Sequence, residues 1–227
     1  MAKRELSHGA CSYCGHETTS GRMKKHLRDC TKRQAVIAAA NRKAGKPQTL
    51  YHLRVTDAYG KAYWLDLEMR GKATLDDLDF YLREIWLECC GHLSQFSLGG
   101  WQGSDIDMNK KIDAVFTPGL TLTHIYDFGT SSETLITAVD LREGHPTTKH
   151  PIALMARNLL PERQCLKCKE PATWWCPECL YENEEEGIFC DKHIAKHPHD
   201  DYGGPVEIVN SPRMGMCGYN GPAEPPY

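Results

Sequence analysis

The sequence predicts an α+β protein in which a small central helix-on-sheet domain is flanked by two small zinc-binding modules. Three observations carry that expectation. Cysteines and histidines stand at metal-ligand spacings near both ends of the chain. Residues 49–68 alternate apolar and polar side chains around an Asp57-Ala58-Tyr59-Gly60 turn, which is a β-hairpin pattern. Leu75, Leu78, Leu82, Ile85 and Cys89 then recur at helical spacing.

Composition sets the bounds. The chain has 227 residues, room for one large domain or a few small ones. A hydrophobic content of 41% with 25% charged residues is ordinary for a soluble protein. No apolar segment follows Met1-Ala2-Lys3-Arg4-Glu5, and the run Ala35 to Ala40 is far too short to span a bilayer. Eleven cysteines without a secretory signal point to reduced, metal-bound thiols in the cytoplasm, not to disulfides. Residues 1–48 hold 11 Lys/Arg against 3 Asp/Glu, and the remainder 16 against 27. A basic head on an acidic body meets polyanions at the head.

In chain order, the first element is Cys11-x2-Cys14-x11-His26-x3-Cys30, a Cys-Cys-His-Cys finger over residues 8–33. A tight turn, with Gly15 free to take positive φ, places the first pair; a helix from Arg22 to Asp29 carries His26, four residues before Cys30. Arg22, Lys24, Lys25, Arg28, Lys32 and Arg33 surround these ligands and are the candidate nucleic-acid contacts. Residues 34–48 read as a basic helical linker that closes at Gly45-Lys46-Pro47. In the central domain, residues 49–143, Thr74 and Asp77 form a capping-box pattern ahead of the apolar stripe. Cys89 belongs to that stripe as a core residue, since Cys89-Cys90 has no partner knuckle. A short strand at Gln95–Leu98 and longer ones at Leu120–Phe128 and Thr134–Leu141 complete the domain. Asp105-x-Asp107-x-Asn109 imitates a calcium loop but lacks its glycine and its twelfth, acidic ligand.

The hairpin, the run Thr74-Leu75-Asp76-Asp77-Leu78 with Leu82-Arg83 and Trp86, and Tyr126-Asp127-Phe128-Gly129 before a strand resemble the plasmid ORF-three-like, or insertion-element passenger, proteins. The resemblance covers residues 49–143 and implies a compact α+β domain, a link to mobile elements, and no defined activity. Where such proteins continue with an Asp and a Ser-Trp pair, this chain has Thr130-Ser131-Ser132.

Residues 144–162 are expected as a linker containing a short helix over Ile152–Leu160. The module at 163–220 follows, with Cys165-x2-Cys168, Cys176-x2-Cys179, Cys190-x2-His193, His197 and His199. In a cross-brace like that of B-box fingers, which it resembles, Cys165, Cys168, Cys190 and His193 hold one zinc, and Cys176, Cys179, His197 and His199 another. His197-Pro198-His199 is tight for two ligands, and Cys217 is an alternative for either histidine. Trp174 and Trp175 are expected as the mini-core of this module. Three zinc ions per chain are therefore expected.

Nothing resembles an HExxH helix, a phosphate loop, a dinucleotide fingerprint, a nucleophile elbow or the His-x-Glu of zinc deaminases, so no catalytic residue is assigned. The sequence favours a non-enzymatic zinc protein associated with nucleic acid through its basic finger. The alternatives are a protein-interaction adaptor using the C-terminal module, and an enzyme centred on Asp127 and Glu133. No small-molecule substrate and no membrane contact are indicated.

Overall fold

The structure, a computed structural model, describes residues 7–183, 186–200 and 203–227. It opens with β1 (His8–Cys11), β2 (Glu17–Thr19), α1 (Ser20–Asp29) and α2 (Thr31–Asn41). The hairpin follows as β3 (Gln48–Asp57) and β4 (Trp64–Arg70), then α3 (Leu75–Leu82), which runs into a π-helical turn at Arg83–Leu87. After these come β5 (Ser94–Leu98), β6 (Ser104–Ile106), α4 (Ile112–Val115), β7 (Thr121–Tyr126), β8 (Ser132–Gly144) and β9 (Ile152–Asn158). These nine strands form one antiparallel sheet in the order β2-β1-β9-β4-β3-β8-β7-β5-β6. The last part of the chain contributes β10 (Trp174–Cys176), α5 (Pro177–Asn183), β11 (Gly187–Phe189), α6 (Asp191–Ile194) and β12 (Val206–Glu207), with a small sheet ordered β11-β10-β12.

The period-2 alternation of β3 and β4 gives the sheet two different faces. Leu53, Val55, Leu65, Leu67 and Met69 point to one side, into a buried cluster shared with Leu75, Leu78, Tyr81, Leu82, Ile85 and Trp86. The Thr74–Asp77 capping box starts α3 as the sequence predicts: Thr74 Oγ1 accepts from the Asp77 amide (3.2 Å) and the Asp77 carboxylate accepts from the Thr74 amide (2.8 Å). On the other side Trp64 joins Met155 and Ala156 against Met23 and Leu27 of α1. The fold is thus mixed, with a large antiparallel sheet and few helices.

Two expectations need correction. Ile152–Leu160 is not a helix: residues 152–158 are strand β9, inside the segment expected as a linker, and pair with β4 and β1. A strand enclosed by neighbours and covered on both faces has no clean apolar/polar alternation, so over seven residues it cannot be told from a helix by pattern. The finger, in turn, continues the central sheet, because β1 pairs with β9 through Gly9↔Asn158, Ala10↔Arg157 and Cys11↔Ala156. The linker helix is present as α2 and begins at Thr31, earlier than the sequence suggested.

Where the finger covers the sheet, the acidic side chains of β4 are buried and their basic partners on β3 are half-buried. Asp66 is fully buried and receives Arg54 in a two-pronged contact (2.8 and 2.7 Å) and His52 Nε2 at 2.6 Å. Glu68 receives Arg142 (2.9 and 2.6 Å) and Arg33 of α2 (3.2 Å). Burial alone would raise the Asp66 carboxyl, but the hydrogen bonds from His52 and Arg54 outweigh it and hold the group below the usual carboxylate range. The Asp66 charge therefore adds stability above the unfolded-state value of about 3.9, and that stability is lost as pH falls through the lower folded value. Asp66→Asn, which leaves Arg54 buried without its counter-charge, should cost about 3–5 kcal/mol at neutral pH. It should also flatten the acid limb of the stability curve. Denaturant unfolding of both proteins across the acid range checks this; an acid limb unchanged by the substitution would contradict it.

Candidate metal centres

Among the described residues, three Cys/His groups proposed from sequence converge so that their donor atoms lie within 4.8 Å of one another. The N-terminal group is Cys11, Cys14, His26 and Cys30. The Gly15 amide donates to Cys11 O (2.8 Å) with Gly15 at φ 71°, closing the turn that aims the Cys11 and Cys14 thiols one way. His26 comes from the last turn of α1, and Cys30 from the extended residue (φ −67°, ψ 111°) that separates α1 from α2. Cys14 Sγ lies 3.3 Å from His26 Nε2. Cys11, Cys30, Met23 and Leu27 share one buried cluster with Trp64, so this centre is seated on the sheet.

The C-terminal groups interleave in the cross-brace order. Cys165, Cys168, Cys190 and His193 form one, with His193 Nδ1 3.4, 3.5 and 3.3 Å from the three sulfurs in turn and Cys168 Sγ 3.8 Å from Cys190 Sγ. Cys176, Cys179, His197 and His199 form the other. There His197 Nε2 stands 3.2 Å from Cys176 Sγ and 3.3 Å from Cys179 Sγ, and His199 Nδ1 stands 3.6 and 3.4 Å from the same atoms. His197 and His199 bring different ring nitrogens to the group, which is how one intervening proline suffices between two ligands. β11 passes tightly over the second knuckle: a Cβ on Gly187 would lie 2.6 Å from both Cys176 O and the Cys179 Cβ. Trp175 is buried in the small sheet, as expected of a mini-core residue, whereas Trp174 is only half-buried and its Nε1 donates to the exposed Asp191 at 2.8 Å.

These distances suit a metal ion. Metal–sulfur bonds of about 2.3 Å and metal–nitrogen bonds of about 2.05 Å, tetrahedrally arranged, separate sulfurs by about 3.7 Å and sulfur from nitrogen by about 3.5 Å. The Cys165 thiol is lowered to about 6: burial opposes ionisation, but the backbone amides of Cys190 and Lys167, with Cys168, favour the thiolate. The buried Cys11 thiol moves the other way, pushed up to about 11 mainly by burial, so a cation is what would make it a thiolate. Each set offers four donors, so an ion held by all four would have no open position for substrate, the arrangement of a structural site.

The six basic residues proposed as nucleic-acid contacts do not behave alike. Arg22, Lys24, Lys25, Arg28 and Lys32 are exposed. Arg33 instead turns inward to Glu68 and the Leu27 carbonyl. Cys217, considered as a ligand of the C-terminal pair, joins neither of those groups. Together with Cys89, Cys90 and His92 it makes a further cluster. Sequence reasoning does not find that cluster; its signal is the compact Cys-Cys-x-His run, which has no second knuckle nearby in sequence. Tyr126-Asp127-Phe128-Gly129 lies beside it. Asp127 takes φ 64°, its carboxylate accepts from the Gly129 (2.9 Å) and Thr130 (3.2 Å) amides, and it receives the fully buried Arg213 at 2.7 Å.

No family model matches the chain, and neither does any curated protein. Among solved structures, a protein of unknown function from Methanosarcina mazei Go1 is similar over 46% of this chain and 67% of its own, at 16% identity and a TM-score of 0.39.

Metal removal separates the parts of the molecule. With chelator, residues 165–199 should lose amide protection, because their small sheet has almost no interior apart from the ligands. β1, β2 and α1 should loosen, whereas β3, β4, β7 and β8, built on the main apolar cluster, should keep their protection. Hydrogen exchange with and without chelator reads this directly; a uniform loss of protection across β3–β8 would contradict it.

Proposed function

We propose that this chain is a zinc-structured binding protein that contacts nucleic-acid phosphates through the exposed basic side of α1 and the start of α2. Zinc is the ion favoured by four-donor sets of thiolates and imidazoles at tetrahedral spacing, and the proposal places three ions in the three groups anticipated from sequence. The observation that carries the reading is the direction of α1. Its apolar residues Met23 and Leu27 face the sheet, its ligand His26 faces the thiols, and Arg22, Lys25 and Arg28 are left in solvent, with Lys32 following. Lys25 and Arg28 are paired with Asp29 at 2.8 and 3.4 Å, but all three side chains are more than half exposed, and such pairs hold little energy against a phosphate.

A second reading, a protein partner, draws on an aromatic surface around Glu133. Trp101 and Phe128 meet edge to face at 5.6 Å, and Trp101 Nε1 and the Tyr59 hydroxyl both donate to Glu133. Tyr59, Trp101 and Phe128 are 74, 48 and 45% exposed.

The two readings are separated with the full-length protein. Replacing Lys25, Arg28 and Lys32 with Ala should weaken binding to random-sequence DNA or RNA about equally across sequences. On duplex DNA it should flatten the salt slope by about 0.9 for each phosphate no longer neutralised. Arg33→Ala should instead lower stability and leave the slope in place, since Arg33 is occupied by Glu68. A wild-type chain that binds neither DNA nor RNA at low salt would sink the nucleic-acid reading and leave the partner surface in front.

A further inference from the structure

We infer that Cys89, Cys90, His92 and Cys217 form a fourth metal centre, a Cys3His site for zinc, which clips the C-terminal segment onto the central sheet. Its four donor atoms lie within 4.8 Å of one another, as in the other three groups. Cys90 Sγ is 3.6 Å from Cys89 Sγ, 3.6 Å from Cys217 Sγ and 3.0 Å from His92 Nε2, and His92 Nε2 is 3.4 Å from Cys217 Sγ. Those separations approach the edges of a tetrahedron of thiolate and imidazole ligands, and the sulfur pairs are far outside the roughly 2.05 Å of a disulfide bond.

Backbone geometry on both sides serves this convergence. Gly91 at φ 81° turns the chain between Cys90 and His92 so that both reach one point, and its amide is held by the Glu88 carboxylate. Cys217 itself sits at φ 52° and ψ 33°, a left-handed conformation that costs a non-glycine residue about 1 kcal/mol or more and persists where the surroundings impose it. The turn around it is tied by the Gly215 amide donating to Tyr219 O at 2.7 Å.

The surroundings support a thiolate site. The Arg213 guanidinium donates to Cys89 Sγ (3.3 Å), giving that thiol a buried hydrogen-bond donor, and also to Asp127 (2.7 Å), whose carboxylate lies 3.4 Å from His92 Nε2 and offsets the guanidinium charge. The three other centres each knit residues close in sequence, or two knuckles of one module. This one joins Cys90 to a residue 127 positions later. Cys90 and Cys217 are exposed, so solvent and chelator reach this ion more readily than an ion held by the buried and half-buried thiols of the C-terminal groups.

The experiment compares metal content of the full-length protein with that of Cys90→Ser/Cys217→Ser, by elemental analysis after gel filtration. The expected result is one zinc fewer per chain in the variant, a difference independent of the absolute count and therefore of the other three centres. Native maleimide labelling of wild type gives a readout without mutation. Cys90 and Cys217 should be protected as isolated and should become labelled when a weak chelator is added, ahead of the cysteines of the C-terminal groups. Equal zinc in variant and wild type would overturn the inference. So would immediate labelling of both thiols in the metal-loaded protein, or a wild-type mass lower by two hydrogens from a Cys90–Cys217 disulfide.

Discussion

The arrangement of this molecule turns on two carboxylates that have been taken out of water. Asp66 and Glu68 occupy the face of β4 opposite its apolar side chains, under α1 and α2. An unpaired buried charge is among the costliest defects a fold can carry, so cations must reach them from several elements. Arg54 and His52 come from the neighbouring strand, Arg142 from the far end of β8, and Arg33 from α2. Arg54 also spans to Ser20 at the start of α1 and lies over the Trp64 ring at 4.8 Å. The finger is consequently fixed to the sheet by charge at one end and by Met23, Leu27 and Trp64 at the other. That attachment decides which side of α1 is left in solvent.

Metal-ligand spacing is the part of the molecule most legible in the sequence. Two cysteines with two residues between them can face only one way on a tight turn, so local spacing determines local geometry, and the twelve residues assigned to the three groups converge as expected, whereas Cys217, the alternative ligand, does not join them. The cross-brace assignment over the last two groups is legible for the same reason. Arg33 is not, because nothing in a basic run says which member has a buried acid beneath it; that depends on Glu68, 35 residues away. β9 reads as a helix because burial on both faces erases the alternation by which a strand is recognised.

The approach of Cys217 to Cys89 and Cys90 is illegible for a different reason. Ligand patterns are recognised when the members are close in sequence, and this group divides a compact run from a lone cysteine near the C-terminus. The Tyr126-Asp127-Phe128-Gly129 stretch stands out in the sequence, but its use in the fold depends on Arg213, which no local pattern announces. In the structure the Asp127 carboxylate first organises its own loop, then receives the tail. Ser211, Arg213 and Tyr219 bury themselves along the way, with Ser211 Oγ donating to Trp86 O at 2.6 Å.

The position of β9 has a bearing on how the chain is made. β1 reaches the main sheet by pairing with β9, which itself pairs with β4. β1 and β2 leave the ribosome long before β9, so their seat on the sheet does not exist until residues 152–158 have been synthesised. Until then Met23 and Leu27 lack Met155 and Ala156 as part of their packing surface. A metal centre closed entirely within residues 11–30 is well matched to that delay, since it allows the nascent finger to order itself before its dock is built.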